Sequence, residues 1–192
     1  RLTVIGPGES AEVMEEILEG QMAPNFSPVH SLGNLGATFT FQAFSPGMTT
    51  RAGGMEVSGV LLPHGRSQTL AYRLEEAGKT LALATDHSCQ DDPSRRRLLS
   101  ICQGADCLIH DCTFTPEDQV GRQSRGYSSI ADAAVTAAAA GVGTLVMTHY
   151  DQDYTDTQVD RLAERCRALL DQQPGGDAVK LVAAREGMTL EV

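Results

Sequence analysis

Apolar residues follow two periods along the chain, and the change of period predicts the order of its strands and helices. In the first part, β-rich runs predict strands at residues 2–6, 37–44, 55–63, 69–75 and 80–85, with one helix at 11–19. In the second part, helices are predicted at 95–103, 129–140 and 157–170, strands at 106–110 and 144–148, and a terminal β pair within 179–192. This order is typical of a single α/β domain, 1–192, whose helices cover the outer face of a sheet.

Turn and cap signals mark several boundaries between these elements. Residues 76–79 are typical of a hairpin turn, and residues 45–54 indicate a surface turn, with a substrate-facing loop as the alternative. Ser129 with Asp132 three residues later predicts a capping box, and Asp156 is a candidate cap for the last long helix.

Charge and cysteine content change which classes of protein we expect. The formal net charge is −10, and an acidic surface repels a polyanion, so long nucleic acid is not an expected partner. We interpret the one basic cluster, at 95–97, as a solvated helix face. No run of eighteen apolar residues is present, so no membrane span is expected. The five cysteines, an odd number without a C-x-x-C pair, favour a reduced, cytoplasmic protein.

A potential metal ligand follows each of four apolar strands. These residues are His64, Asp86, the pair His110 and Asp111, and His149. They would converge if the strands share one direction, because ligands gather beyond the carboxyl ends of the strands in such sheets. Two imidazoles and a carboxylate suit zinc, and also manganese or iron. Taken singly, a strand-end histidine or aspartate is more often a hydrogen-bonded or capping residue, so spacing alone leaves both interpretations open.

Three stretches resemble the later motifs of the metallo-β-lactamase superfamily. They are Thr-Asp-His at 85–87, Gly-Ala-Asp-Cys-Leu-Ile-His-Asp-Cys-Thr-Phe at 104–114, and Leu-Val-Met-Thr-His-Tyr at 145–150. Within the superfamily they are most similar to the branch of tRNA 3′-processing ribonucleases, phosphodiesterases and their bacterial relatives. The similarity extends over nearly the whole chain, in the order that the family shows.

The resemblance implies a fold, a site and an activity. The fold would be a partial αββα sandwich, namely its carboxy-terminal half with part of the first sheet. His64 and His149 would each bind a metal ion, and Asp86 would bridge two ions and so be catalytic. His110 and Asp111 would orient these ligands from behind. The expected cofactor is a pair of zinc ions, with manganese or iron as alternatives. The expected reaction is metal-dependent hydrolysis of a small phosphodiester or related ester, and relatives often pair as homodimers.

Part of the family's pattern is missing from this sequence. The upstream motif His-x-His-x-Asp-His is absent, and the chain opens inside a strand-like run without methionine, so we expect that sequence is missing upstream. Of the remaining histidines, we interpret His30 as a surface residue. His87 should point away from Asp86 and lie behind the site or in solvent.

Tyrosine stands where the ribonuclease members carry a histidine that partners an acid. In this chain the position is Tyr127. A phenol stays protonated near neutral pH and cannot relay protons as an imidazole does, so tRNA processing is not expected.

Two classes of function therefore stay open. In the first, the chain is part of a hydrolase, in which Arg66 is either a substrate contact or a surface arginine. Three protein ligands are too few for two ions, so we expect the isolated chain to be inactive or nearly so. In the second, it is a non-catalytic binding or scaffold module that lacks a complete metal site. A different α/β fold, in which the three ligands never meet, would exclude the hydrolase.

Overall fold

The first of two compact units is a short β-α-β segment. The structure, a computed structural model, describes residues 1–7, 10–45 and 47–192, and its two units are Arg1–Met48 and Thr49–Val192. In the first unit β1 pairs in parallel with β2, and Ser10 caps the intervening helix by accepting a hydrogen bond from the Val13 backbone N–H. Its elements are β1 (Leu2–Pro7), α1 (Ala11–Gln21), a 3-10 turn (Leu32–Leu35) and β2 (Phe39–Phe44).

The second unit is built on one seven-stranded sheet in which neighbouring strands are consecutive in the chain. Its strands are β3 (Thr49–Ala52), β4 (Met55–His64), β5 (Ser67–Glu76), β6 (Lys79–Ala84), β7 (Cys107–Asp111), β8 (Thr144–Thr148) and β9 (Lys180–Ala183). Its helices are α2 (Asp92–Cys102), the short α3 (Pro116–Gln119), α4 (Ile130–Ala140) and α5 (Asp156–Asp171), with 3-10 turns at Gln123–Arg125 and Gly176–Ala178.

Strand direction brings four strand ends to one edge of the sheet. β4, β5 and β6 pair antiparallel, so two reversals leave β4 running in the same direction as β6. β6, β7, β8 and β9 then pair in parallel. The carboxyl ends of β4, β6, β7 and β8 therefore share one rim, which is the direction that the predicted site requires.

Helices α2, α4 and α5 cover one face of this sheet. Each connects two neighbouring parallel strands, and because such crossovers are right-handed, all three lie on the same side. Alanines of α4 allow a close approach to the strands, where Leu108, Leu145 and Met147 are fully buried. The predicted capping box of Ser129 and Asp132 begins α4. The predicted α/β class and its helix-covered sheet are confirmed.

The predicted terminal β pair within 179–192 is wrong, because only β9 forms there. Beyond it, Met188, Leu190 and Val192 line a cavity together with Ile109 and Val146 of the sheet. The apolar spacing of the tail therefore reflects side chains that lie along the sheet, and their backbone does not form a ladder. None of the described helices has both the length and the apolar composition needed to cross a membrane.

Two local predictions also need correction. The connection at 45–54, predicted to be a turn, contains β3, which pairs antiparallel with β4; Pro46 lies outside the described residues. The last long helix is capped by Thr155, which forms a capping box with Gln158, whereas Asp156 is the first helical residue.

Candidate metal centre

The three predicted ligands lie at the common rim of strand ends. His64 is the last residue of β4, Asp86 comes two residues after β6, and His149 follows β8 directly. Asp86 (φ 52°) and His149 (φ 58°) adopt left-handed backbone conformations, which cost about 1–2 kcal/mol for residues other than glycine. His30 and Ala77 also have a positive φ, but Asp86 and His149 are the pair with this strain at the rim, and backbone strain is common at functional sites.

Asp86 and His149 meet at the centre of this rim. Oδ1 of Asp86 lies 2.6 Å from Nε2 of His149. The same oxygen is buried and has no aligned hydrogen-bond donor. A carboxylate oxygen and an imidazole nitrogen thus face each other at ion-pair distance without the alignment of a hydrogen bond.

Thr113 determines which nitrogen of His149 carries a proton. Its hydroxyl lies 2.8 Å from Nδ1 of His149 and can donate either to Oδ1 of Asp111 at 2.6 Å or to the carbonyl oxygen of His149 at 2.7 Å. Because the hydroxyl uses its own proton in this way, it accepts from Nδ1–H. Nε2 of a neutral ring then directs its lone pair at Asp86, and two acceptors this close are stable only with a cation or a proton between them.

The charge of Asp111 adds to this preference. Its carboxylate lies 3.8 Å from Nδ1 of His149. The interaction with Asp111 raises the pKa of His149, against the opposing effect of partial burial, and the nearby Asp86 carboxylate adds to the rise. The ring is therefore in a position that favours a positive charge, whether a proton or a metal ion supplies it.

Asp111 is fully buried, and four donors keep it ionised. It accepts from the backbone N–H groups of His87, Thr113 and Ser128, and from the Thr113 hydroxyl. Burial opposes ionisation, but the interactions with His149, Thr113 and Ser128 outweigh it and lower the pKa of Asp111. It therefore orients its neighbours as a fixed anion.

His64, the last residue of β4, presents its ring to the same rim beside Tyr127. Its Nδ1 lies 3.1 Å from the Gly126 carbonyl oxygen, which can only accept, so Nδ1 carries the proton and Nε2 is left as a potential ligand. The ring centroid of Tyr127 lies 5.2 Å from that of His64 and 5.0 Å from that of His149. The Tyr127 ring thus lies close to both imidazoles.

The donor chemistry fits a metal ion only in part. Asp86 and His149 are brought together, and His64 has the tautomer of a ligand, as metal-bound histidines do. Across 1–7, 10–45 and 47–192, however, no three histidine, cysteine, aspartate or glutamate side chains are grouped closely enough to hold an ion by themselves. The residues therefore form part of a coordination shell, and metal binding at these positions stays a prediction.

His110 and His87 lie behind the site as a buried imidazole pair. Their ring centroids are 4.6 Å apart in an edge-to-face arrangement. Nδ1 of His110 donates to the Asp111 carbonyl oxygen at 2.7 Å, while Nδ1 of His87 lies 3.3 Å from the Ser128 hydroxyl. Burial, together with the neighbouring His110, lowers the pKa of His87 to about 3. Burial also lowers the pKa of His110.

His87 is therefore not in solvent, which was one of the two positions expected for it; its backbone N–H supports Asp111. His30 is exposed, as expected, and Arg66 is exposed in the turn between β4 and β5.

Several residues of the site escaped the sequence interpretation. Thr113 joins His149 to Asp111, Ser128 donates to Asp111, and Gly126 orients His64. The sequence signal for these residues was weak. Thr113 is recognisable only as the residue two positions after Asp111, and Ser128 directly precedes the Ser129 capping box, which already accounted for the serines there.

A seven-stranded sheet with helices on one face and ligand-type residues at its rim defines an α/β protein of the metallo-β-lactamase fold. Residues 8–150 match the family model described as the β-lactamase superfamily domain. The chain belongs to this superfamily.

Comparison with individual proteins supports the same assignment. Ribonuclease BN of Salmonella gallinarum (strain 287/91 / NCTC 13346) is 34% identical over 131 residues, which are 67% of this chain and 38% of that protein. The metallo-β-lactamase fold protein YhfI from Bacillus subtilis superimposes with a TM-score of 0.69 at 21% identity, covering 97% of this chain and 64% of that one. Zn²⁺-bound PqqB from Methylobacterium extorquens gives 0.61 at 14% identity, covering 100% and 62%. The chain thus spans less than two thirds of each of these proteins.

Proposed function

We propose that this chain forms the carboxy-terminal part of a metal-dependent hydrolase acting on a phosphodiester or related small ester. The observation that carries the proposal is the pair of Asp86 and His149. The two side chains, each an electron-pair donor, lie 2.6 Å apart without an aligned hydrogen bond. Both residues have a strained backbone, and His64 lies at the same rim. A divalent cation would relieve their mutual repulsion.

Zinc suits this donor set, since two imidazoles and a carboxylate are ligands that it commonly takes. Asp86, His149 and His64 would hold the metal. When bound, such ions lower the pKa of a water molecule and polarise the bond to be cleaved.

The residues around the ligands have separate roles in this proposal. Thr113 and Asp111 fix the orientation and tautomer of His149, and Gly126 does the same for His64. Tyr127 lies close to both imidazoles and would limit the space around them.

The substrate proposal has two supports. The relative named ribonuclease BN is, by its name, an enzyme that acts on RNA, a phosphodiester, and this chain is similar to it over 131 residues. The net charge of −10 and the presence of Tyr127 favour a small substrate over a structured RNA.

Zinc affinity tests the proposal directly. Equilibrium dialysis should show that Asp86→Asn, His149→Gln and His64→Gln each weaken zinc binding by roughly tenfold or more, while His30→Gln, an exposed histidine elsewhere, leaves it unchanged. We expect turnover of bis(p-nitrophenyl) phosphate by the isolated chain to be negligible.

Two results would contradict these statements. Equal zinc affinity in all four variants would reject the site and favour the non-catalytic binding module. Stoichiometric loading with two zinc ions, together with turnover, would refute the expectation that the isolated chain is inactive.

A further inference from the structure

Arg125 lies against the ring of Tyr127, which also contacts the candidate metal centre through His149. Its guanidinium carbon is 5.5 Å from the Tyr127 ring centroid and 5.5 Å from that of Phe114. The Tyr127 ring in turn lies 5.0 Å from the His149 ring. A cation and a predicted metal ligand therefore both contact the Tyr127 ring.

A buried carboxylate holds this arginine in place. Asp151, whose side chain is 3% exposed, lies 3.5 Å from Arg125 and 3.7 Å from Arg122. The guanidinium of Arg122 also lies over Phe114, at 5.4 Å. One carboxylate thus faces two guanidiniums, and both arginines are about half exposed (48% and 49%). This arginine pair keeps an excess positive charge at the surface of an otherwise acidic chain.

The backbone that carries Arg125 is fixed against the strand that carries His64. Gly126 has φ +78°, and a Cβ there would collide with the backbone of Gly65. The Gly126 carbonyl oxygen accepts from Nδ1 of His64. The position of the guanidinium is consequently coupled to the position of a predicted metal ligand.

We propose that Arg125 binds a second phosphate group of the substrate, next to the phosphodiester that is cleaved. The inference rests on the proposed function. The guanidinium contacts the Tyr127 ring, which in turn contacts the His149 ring, so we assign it to a group that neighbours the ester and not to the ester itself. The planar, permanently charged fork of arginine matches phosphate oxygens bidentately. The substrate class is thus a nucleotide-like phosphodiester that carries an additional phosphate.

Arg125 suits this role better than Arg66, the arginine first considered from the sequence. Arg66 is exposed in a turn, whereas Arg125 is held by Asp151 and by two aromatic rings. An arginine that is already ordered loses less side-chain entropy when it binds an anion.

Binding of a matched ligand pair tests this proposal. Isothermal titration calorimetry would compare thymidine 3′,5′-bisphosphate with thymidine 5′-monophosphate on the chain, with and without zinc. We expect the bisphosphate to bind roughly tenfold more tightly, and Arg125→Ala to abolish this preference. Arg125→Lys should retain only part of it, because an ammonium lacks the fork.

Arg165→Ala is the matched control, since Arg165 is also half exposed and paired with an acid, Glu117, elsewhere on the surface. Its bisphosphate preference should equal that of the unchanged chain. An equal preference in Arg125→Ala, or no preference in the unchanged chain, would overturn the inference. The effect of zinc on binding of the two nucleotides is evaluated separately. If zinc does not change that binding, the proposed function is rejected, whether or not Arg125 contributes to the bisphosphate preference.

Discussion

At the scale of single residues, the hydroxyl of Thr113 links His149 to Asp111, two residues that the sequence analysis identified without connecting them. It accepts from Nδ1 of His149 and can donate to Asp111, so it transmits the effect of a buried anion to a predicted metal ligand. A ligand histidine with a fixed tautomer needs no reorganisation when the metal binds.

Replacing Thr113 with valine tests this role. Thr113→Val keeps the shape but removes the hydroxyl, so zinc affinity should fall by about 10–100-fold and stability by about 1–3 kcal/mol, because Asp111 loses a donor. Thr113→Ser should restore most of both. Zinc titration and urea unfolding measure the two effects, and a valine variant with unchanged zinc affinity would show that the hydroxyl is not required.

Among the elements of secondary structure, the contact between the β4–β5 turn and the segment before α4 sets the geometry of the site. Gly126 permits this contact, because its φ is +78° and it has no side chain. Gly141, after α4, also has a positive φ (+63°), but a Cβ there would meet nothing within 4 Å.

These two glycines form a matched pair. Gly141→Ala should cost about 1–2 kcal/mol from backbone strain alone. Gly126→Ala adds a collision with the Gly65 backbone, so it should cost several kcal/mol and displace His64. Urea unfolding compares the two variants, and equal losses would show that the close approach is unimportant.

Periodicity predicted most elements because it reports which face is buried. The alternation from β6 to α5 was correct, since each helix must cover the strands that it joins. The same signal failed for 184–192, where Met188, Leu190 and Val192 lie along the sheet without a strand ladder. Thr113, Gly126 and Ser128 could not be given roles in the site from the sequence, because each has a partner 17 to 62 residues away along the chain.

At the scale of the whole molecule, the buried pair of His87 and His110 makes stability depend on pH. The folded protein keeps His87 neutral down to a pKa of about 3, whereas an imidazole in the unfolded chain titrates near 6.5. Between these values the unfolded state binds more protons, so stability falls as the pH decreases. His110, with its lowered pKa, and Asp111, as it becomes protonated, act in the same direction. The raised pKa of His149 acts in the opposite direction.

We therefore expect the free energy of unfolding to fall by up to about 1.4 kcal/mol per pH unit for each buried histidine as the pH drops below about 6.5. Urea titrations at a series of pH values measure this slope. His87→Gln should reduce the slope, whereas His30→Gln, at an exposed position, should preserve it. A flat profile in the unchanged chain would contradict the burial of the pair.

The left-handed backbone of Asp86 implies that the chain gives up stability at this position in order to aim a carboxylate. Asp86→Gly and Asp86→Ala delete the same charge, yet only glycine adopts φ 52° without steric cost. The glycine variant should therefore melt several degrees higher than the alanine variant. A sequence selected in the laboratory for heat resistance alone would be expected to drift toward glycine here and to lose the Asp86 carboxylate as it did so.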